Sequence, residues 1–243
     1  MIEVEHFSKS YSRTGAENAV EDLSFAVPAG AILGLVGPNG AGKTTTLRAI
    51  AGILKPSAGV LRVAGFDVVK QPVAAKRELA LVPDTPNPYE LLTVHEHLEF
   101  VRLAYEVRDG VDPDQLLARF DLLEKRDELC GALSRGMRQK LAICCALIHR
   151  PRVLLLDEPL TGLDPHGTRV MREAIRQAAD EGTAIIVSSH QLELVERLCT
   201  RVLIVQRGRK VVEGTLEEIR SVAALAPDAN LEEVFFHFVE ARA

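Results

Sequence analysis

The glycine-rich stretch "GPNGAGKT", residues 37–44, constrains the fold of this chain more than any other feature. It follows the short apolar run "AILGLV" and leads into "KTTTLRAIAGIL", which has the pattern of a helix. A loop of the form G-x-x-x-x-G-K-[ST] between a strand and a helix surrounds phosphates with successive backbone N–H groups. The pattern therefore predicts an α/β core that binds a nucleotide.

The predicted contacts of this loop follow from the chemistry of its side chains. Lys43 is expected to reach the β and γ phosphates, and the Thr44 hydroxyl is expected to bind Mg²⁺. The predicted nucleotide-binding residues are Gly37, Pro38, Asn39, Gly40, Ala41, Gly42, Lys43, Thr44 and Thr45. Such a loop by itself leaves kinases, GTPases and ATPases all open.

Two later segments supply polar side chains at the ends of predicted strands. "VLLLDEP" is a buried strand that ends at Asp157, whose carboxylate is predicted to hold Mg²⁺. Glu158 comes next, and its side chain should point to the opposite side from that of Asp157, because side chains alternate along a strand. One carboxylate can then hold the metal while Glu158 orients or deprotonates an attacking water. His190 follows the predicted strand "TAIIVSS", at the end of the sheet where α/β folds bind ligands. It could contact the γ-phosphate or the water, although a lone histidine is as often structural.

Composition argues against several other functions. The net charge is −5, aromatic residues make up 5% and there is no Trp, so no nucleic-acid partner is expected. The four cysteines lack zinc-ligand spacing and indicate a reducing compartment. The stretch "MIEVEHFSKSY" has neither a basic nor an apolar leader pattern, so we expect a cytoplasmic protein.

Strand patterns occur on both sides of the glycine loop. "MIEVEHF", "NAVEDLSFAV" and "GVLRVAGF" predict an antiparallel sheet beside a parallel core. From about residue 73 to 150 the pattern is mostly helical, with Thr93 as an N-cap and Asp112 before a helix that opens on Pro113. The predicted fold class is α/β, with a P-loop NTPase core around a mostly parallel sheet, an antiparallel β subdomain and a helical insertion.

Taken together, five motifs resemble the ATP-binding subunit of ABC (ATP-binding cassette) transporters. "GPNGAGKTT" resembles the Walker A motif, "LLLDEP" the Walker B motif, "TGLD" the D-loop, "SSH" the switch histidine, and "LSRGMRQK" the signature motif. The resemblance covers nearly the whole chain. It implies one ATP-binding domain over residues 1–243, with a helical insertion at about 84–150 and a C-terminal helical tail at about 215–243.

The resemblance also implies roles for individual residues. In the family, two subunits enclose two ATP molecules, and the signature of one contacts the γ-phosphate bound to the other. The residues that would act across the dimer are Ser134, Arg135, Gly136 and Met137. Tyr11 is expected to stack on adenine and Asp164 to couple the two sites. Glu158, Lys43 and His190 are the expected catalytic residues.

Two segments depart from the family's usual pattern. The signature is usually Leu-Ser-Gly-Gly-Gln, and here Arg135 and Met137 stand at its third and fifth positions. In "LVPDTPNPY", Asp84 stands where the family usually has Gln. We expect Asp84 to be a metal ligand, directly or through water. Both departures, with the terminal "LEEVFF", resemble a bacterial branch associated with export.

The expected cofactors are ATP and Mg²⁺. The expected partners are an integral membrane transport subunit and a second ATP-binding subunit, in a homodimer or a heterodimer. The protein would lie on the cytoplasmic face of the cell membrane. The main alternative is a soluble ABC-type ATPase that acts on a non-membrane partner, and a P-loop kinase or GTPase ranks last because no Asn-Lys-x-Asp motif occurs.

Overall fold

A computed structural model of the 243-residue chain describes residues 1–11, 18–107 and 111–240. The structure contains two sheets, and helices pack against the larger of them. The chain enters through the smaller sheet, continues into the larger one at the glycine loop, and ends in two short helices. Residues 12–17, between the first two strands, and residues 241–243 of the predicted tail lie outside the described residues.

The smaller sheet is antiparallel and has the strand order β2-β1-β4-β5. Its strands are β1 (Ile2–Ser10), β2 (Asn18–Val27), β4 (Ala58–Val63) and β5 (Phe66–Asp67). Alternating apolar residues such as Ile2, Val4 and Leu61 are buried on one face, as the sequence pattern predicts. The predicted antiparallel subdomain is confirmed.

The larger sheet has the order β10-β9-β3-β8-β7-β6. Its strands are β3 (Ile32–Val36), β6 (Leu79–Val82), β7 (Val153–Asp157), β8 (Ala184–Ser188), β9 (Arg201–Gln206) and β10 (Arg209–Gly214). All neighbouring pairs are parallel except β9 and β10. Strands β3, β7 and β8 are buried along their whole length, which fits their continuous apolar sequences.

Nine α-helices occur in the described part of the chain. They are α1 (Lys43–Ile50), α2 (Pro72–Arg77), α3 (Val94–Ala104), α4 (Pro113–Arg119), α5 (Arg135–Leu147), α6 (Pro165–Asp180), α7 (Leu192–Leu198), α8 (Leu216–Val222) and α9 (Leu231–Glu240). The predicted N-caps are confirmed: the Thr93 hydroxyl accepts from the Glu96 N–H, and the Asp112 carboxylate accepts from the Asp114 N–H. Among these described helices, none is long and apolar enough to cross a bilayer.

Strand β6 corrects the expectation that residues 73–150 are mostly helical. Its four residues, Leu79–Val82, pair in parallel with β7 at the edge of the core sheet. A run of four apolar residues is too short to distinguish a strand from a helix by periodicity, so only the tertiary pairing identifies it. Because β6 ends at Val82, it places Asp84 at the same edge of the sheet as the other site residues.

The helical insertion and the tail belong to separate apolar clusters. Helices α3, α4 and α5 share one apolar cluster with α6, through residues such as Leu98, Leu117, Ile143 and Met171. Helix α9 packs with α7 and α8 in a separate cluster around Leu231 and Val234. Its buried stripe explains the sequence "LEEVFF" as an amphipathic helix.

Candidate active site

The glycine loop connects the end of β3 to the first turn of α1. Gly42 has φ +99°, a left-handed conformation that glycine adopts without strain, and Lys43 begins the helix. An added Cβ at Gly42 would lie 2.6 Å from the Ala19 carbonyl oxygen, and one at Gly37 would collide with the Val205 carbonyl. The close approach of neighbouring backbone therefore requires glycine at both positions.

Lys43 is buried within its own loop, with 9% of its surface exposed. Its Nζ donates to the Gly37 carbonyl at 2.6 Å and to the Pro38 carbonyl at 3.2 Å. Burial lowers the pKa of Lys43 from its ordinary value, and the negative charges of Glu158 and Asp157 act in the opposite direction. The ammonium group is thus held beside both carboxylates.

A cleft of about 410 Å³ opens in front of this lysine. It is lined by Ala19, Asn39, Gly40, Ala41, Gly42, Lys43, Thr44, Thr45, Asp84, Asp157 and Glu158. The Thr44 hydroxyl and the Asp157 carboxylate offer the oxygen ligands that Mg²⁺ prefers, and such sites use one or two protein ligands together with substrate phosphates. The donor set therefore fits Mg²⁺ bound with a nucleotide. Ala19 was missed by the sequence analysis, because nothing in its local sequence signals proximity to the loop.

Asp157 is fixed by the adjacent strand. It is the last residue of β7 and lies opposite Ser188, the last residue of β8, whose hydroxyl donates to Asp157 Oδ1. Ser188 is fully buried. Its role in orienting this carboxylate was not predicted, although it belongs to the quoted "SSH" motif.

Glu158 is held by the loop that follows β8. Its Oε1 accepts the His190 backbone N–H at 3.0 Å and lies 2.9 Å from His190 Nδ1, and its Oε2 accepts the Ser189 hydroxyl at 3.1 Å. Glu158 itself has φ +50°, so a left-handed turn and not strand alternation sets the direction of its side chain. Contact with Nδ1 leaves Nε2 of the exposed His190 ring free for a ligand.

Tyr11 lies beside the first turn of α1. Its hydroxyl is 3.3 Å from the Thr45 hydroxyl oxygen, and Lys9 Nζ is 5.4 Å from its ring centroid. The Tyr11 side chain is 63% exposed, so a face of the ring is open to a planar group next to the phosphate loop.

The signature segment does not line the cleft of its own chain. Ser134 caps α5, and its Oγ accepts the Met137 N–H at 3.3 Å. An added Cβ at Gly136 would lie 2.8 Å from the Gly162 carbonyl oxygen, so this glycine packs directly on the segment "TGLD". None of Ser134, Arg135, Gly136 and Met137 is among the described residues that line the cleft.

Asp164 has a structural role. Its Oδ1 accepts the Gly167 N–H at 2.8 Å and caps α6, with Pro165 at the first helical position. The cap fixes the end of "TGLD" at the start of α6.

Comparison with known proteins decides the family. The family described as ABC transporter matches residues 20–161, more than half of the chain. The chain belongs to the ABC transporter family. The ABC transporter ATP-binding protein NatA of Bacillus subtilis is 40% identical over 209 residues, which cover 83% of each chain. The Nod factor export ATP-binding protein I of Paraburkholderia xenovorans is 38% identical over 88% of this chain and 70% of that protein.

Solved structures support the same assignment. A structure of the ATP-binding subunit of an ABC transporter has a TM-score of 0.92 and 33% identity, covering 98% of this chain and 99% of that one. A dimeric ATP-binding cassette bound to ADP and Pi, at 23% identity and a TM-score of 0.79, shares the fold. The cassette is thus an ATP-hydrolysing subunit with the predicted P-loop NTPase fold, and no relative named here supports the soluble alternative.

Proposed function

We propose that the cleft binds ATP with Mg²⁺ and hydrolyses it through Glu158. The observation that carries this is the convergence of three adjacent strand ends: β3 supplies the phosphate loop, β7 the two carboxylates and β8 the contacts that hold Glu158. Glu158 takes the proton of the attacking water, and Lys43 and His190 Nε2 stabilise charge on the γ-phosphate. Mg²⁺, bound by Thr44 and Asp157 with Asp84 nearby, supplies further charge neutralisation.

The remaining contacts place the nucleotide. The backbone N–H groups of residues 37–45 surround the phosphates, and Tyr11 stacks on adenine. Two observations support this arrangement: the Tyr11 ring is exposed, and its hydroxyl lies 3.3 Å from the Thr45 hydroxyl oxygen. Residues 1–243 form one ATP-binding domain, with residues 84–150 as a helical insertion and 215–243 as the tail.

The signature acts on the nucleotide of a second subunit. In support, Ser134 and Gly136 stand at an exposed helix start, which favours anions, yet the cleft of their own chain does not include them. Asp164 connects this segment to α6 and thereby couples the two sites of the dimer. The second subunit is either another copy of this chain or a related cassette.

The membrane partner contacts the helical insertion, and the transport direction is export. The large apolar side chains that are exposed on this insertion include Tyr89, Leu91, Phe100 and Leu103. A groove of about 270 Å³ adjoins them, between the segment 83–88 and helices α3 and α5. Such a patch fits an apolar cytoplasmic segment of a membrane subunit. The relative named for Nod factor export supports this direction of transport.

Glu158→Gln tests the proposal. The variant should bind ATP with Mg²⁺, fail to hydrolyse it, and form a stable dimer, because the amide keeps its contacts to Ser189 and His190 but cannot take a proton. Turnover, nucleotide binding and sedimentation with ATP are measured on wild type and variant. Glu232→Gln, on the exposed surface of α9, is the control and should retain wild-type turnover. Wild-type turnover by Glu158→Gln, or a monomer at saturating ATP with Mg²⁺, would contradict the mechanism.

A further inference from the structure

Two of the three residues that depart from the family's usual pattern, Asp84 and Arg135, contact each other. Asp84 follows β6, Arg135 opens α5, and their side chains approach within 3.6 Å, from Asp84 Oδ1 to Arg135 Nη2. Fifty-one positions separate them in the chain. Among the described residues, Arg135 is the only cation within 4.0 Å of this carboxylate.

The charges around the cleft explain why Asp84 needs this partner. The cleft is lined by three carboxylates, those of Asp84, Asp157 and Glu158, and Lys43 is the cation among its described lining residues. A polyphosphate is itself strongly anionic, so an unpaired third carboxylate at this position would repel it. Arg135 places a compensating positive charge at the outer side of Asp84.

The path of the Arg135 side chain supports a positioning role. An added Cβ at Gly162 would lie 3.4 Å from Arg135 Cδ and 3.6 Å from its Nε, so the stem of Arg135 lies along the "TGLD" segment. Both members of the ion pair remain about half exposed, at 58% for Arg135 and 49% for Asp84. The guanidinium group therefore spans from the signature segment to the edge of the cleft in the same chain.

We infer that Arg135 is a positioning residue for the phosphate cleft of its own chain: it neutralises Asp84 and holds this carboxylate at the cleft edge. This role rests on the proposed nucleotide site. It differs from the contact of the signature with a partner subunit's nucleotide, because it acts within one chain and before a dimer forms.

A double-mutant cycle tests the inference. The affinity of the full chain for AMP-PNP with Mg²⁺ is measured at protein concentrations at which sedimentation shows a monomer. Arg135→Gln keeps the helix and most of the stem but removes the charge, and it should weaken binding about two- to fivefold at 0.1 M salt, the size expected for a partly exposed ion pair. In the Asp84→Asn background, the same change should alter binding by less than about 1.5-fold.

Controls separate this effect from folding and from the site itself. Arg138 lies one turn later in α5 and donates to the Gly131 carbonyl. Arg138→Gln should therefore leave the affinity for AMP-PNP unchanged. The loss caused by Arg135→Gln should shrink at 1 M salt, where the screening length is about 3 Å, whereas a packing defect would persist. Lys43→Ala should abolish binding in every background.

The outcomes are distinct. If Arg135→Gln lowers the affinity equally in the wild-type and the Asp84→Asn backgrounds, or does not lower it at all, the positioning role is overturned while the nucleotide site stands. Failure of the wild-type chain to bind AMP-PNP with Mg²⁺, or binding that survives Lys43→Ala, overturns the proposed site and this inference with it. A larger loss with Asp84 present supports the inference.

Discussion

His190 contacts Glu158 through both its backbone and its ring: the His190 N–H donates to Glu158 Oε1 at 3.0 Å, and Nδ1 lies 2.9 Å from the same oxygen. One residue thus orients the proposed general base and leaves its Nε2 free for a ligand. The backbone contact does not depend on the side chain, so substitution of His190 removes the ring function and leaves part of the Glu158 support intact.

His190→Ala should lower kcat by about 10²-fold or more, the size typical of a lost acid–base or charge-stabilising group. The affinity for ATP should change little, because the phosphate loop and Lys43 are unaffected. Steady-state turnover and equilibrium nucleotide binding measure the two effects. His237→Ala on the exposed side of α9 is the control. A loss of affinity that accounts for the whole loss of activity would contradict this role.

The buried Lys43 should make stability depend on pH. Its pKa in the folded protein is lowered by burial, so between that value and its ordinary value of 10.5 the unfolded chain holds more protons than the folded one. Stability therefore rises with pH in this window, and the penalty of burying the charge is complete below it.

Lys43→Met removes that penalty. The stability of the nucleotide-free variant relative to wild type should be highest near neutral pH and should fall as the pH rises towards 10.5. Denaturant unfolding from pH 7 to 10 provides the measurement. Lys76→Met, at an exposed position, is the matched control. If the stability of both variants relative to wild type changed with pH in the same way, the prediction for Lys43 would be contradicted.

Gly136→Ala should disturb the contact between the signature and "TGLD". The new Cβ would lie 2.8 Å from the Gly162 carbonyl oxygen, closer than a Cβ normally approaches, so one of the two segments must shift. We expect a loss of about 1 kcal/mol in stability and a larger loss of ATP-dependent dimer. Gly131→Ala, whose new Cβ would lie 3.2 Å from the Glu90 carbonyl oxygen, is the matched control outside the four signature residues. Equal dimer formation by both variants would contradict the role of Gly136.

Charge on the exposed apolar patch should block the membrane partner without harming the ATPase. The side chains of Leu91 and Leu103 are 88% and 67% exposed. Leu91→Glu and Leu103→Glu should therefore leave the protein folded and keep its basal turnover within about twofold of wild type. Recovery of a multi-span protein in pull-downs from solubilised host membranes should fall. Val222→Glu, at 70% exposure on α8, serves as the matched surface control. Undiminished recovery with both leucine variants would place the docking surface elsewhere.

The predictable part of the fold is the part that local chemistry determines. The glycine loop, the caps at Thr93 and Asp112 and the alternation of β1 each follow from a few consecutive residues, and the structure contains all of them. The cleft likewise brings Lys43 and Asp157 together, because both lie at the same ends of parallel strands.

What the sequence could not provide depends on contacts between distant segments. The pairing of β6 with β7 and the ion pair of Asp84 with Arg135 join positions far apart in the chain, and no local pattern encodes them. Similarly, the strand "VLLLDEP" gives no sign that the backbone turns left-handed at Glu158, or that the loop after β8 holds its carboxylate.

The left-handed backbone at Glu158 sets folding and activity against each other. A residue other than glycine at φ +50° carries a strain of about 1–2 kcal/mol, which glycine would relieve. A library of variants at this position, selected only for abundance of folded protein, should therefore drift towards glycine and asparagine. Selection for growth that depends on transport should return glutamate, so the two enrichment profiles at this one codon would separate the demands of the fold from those of the reaction.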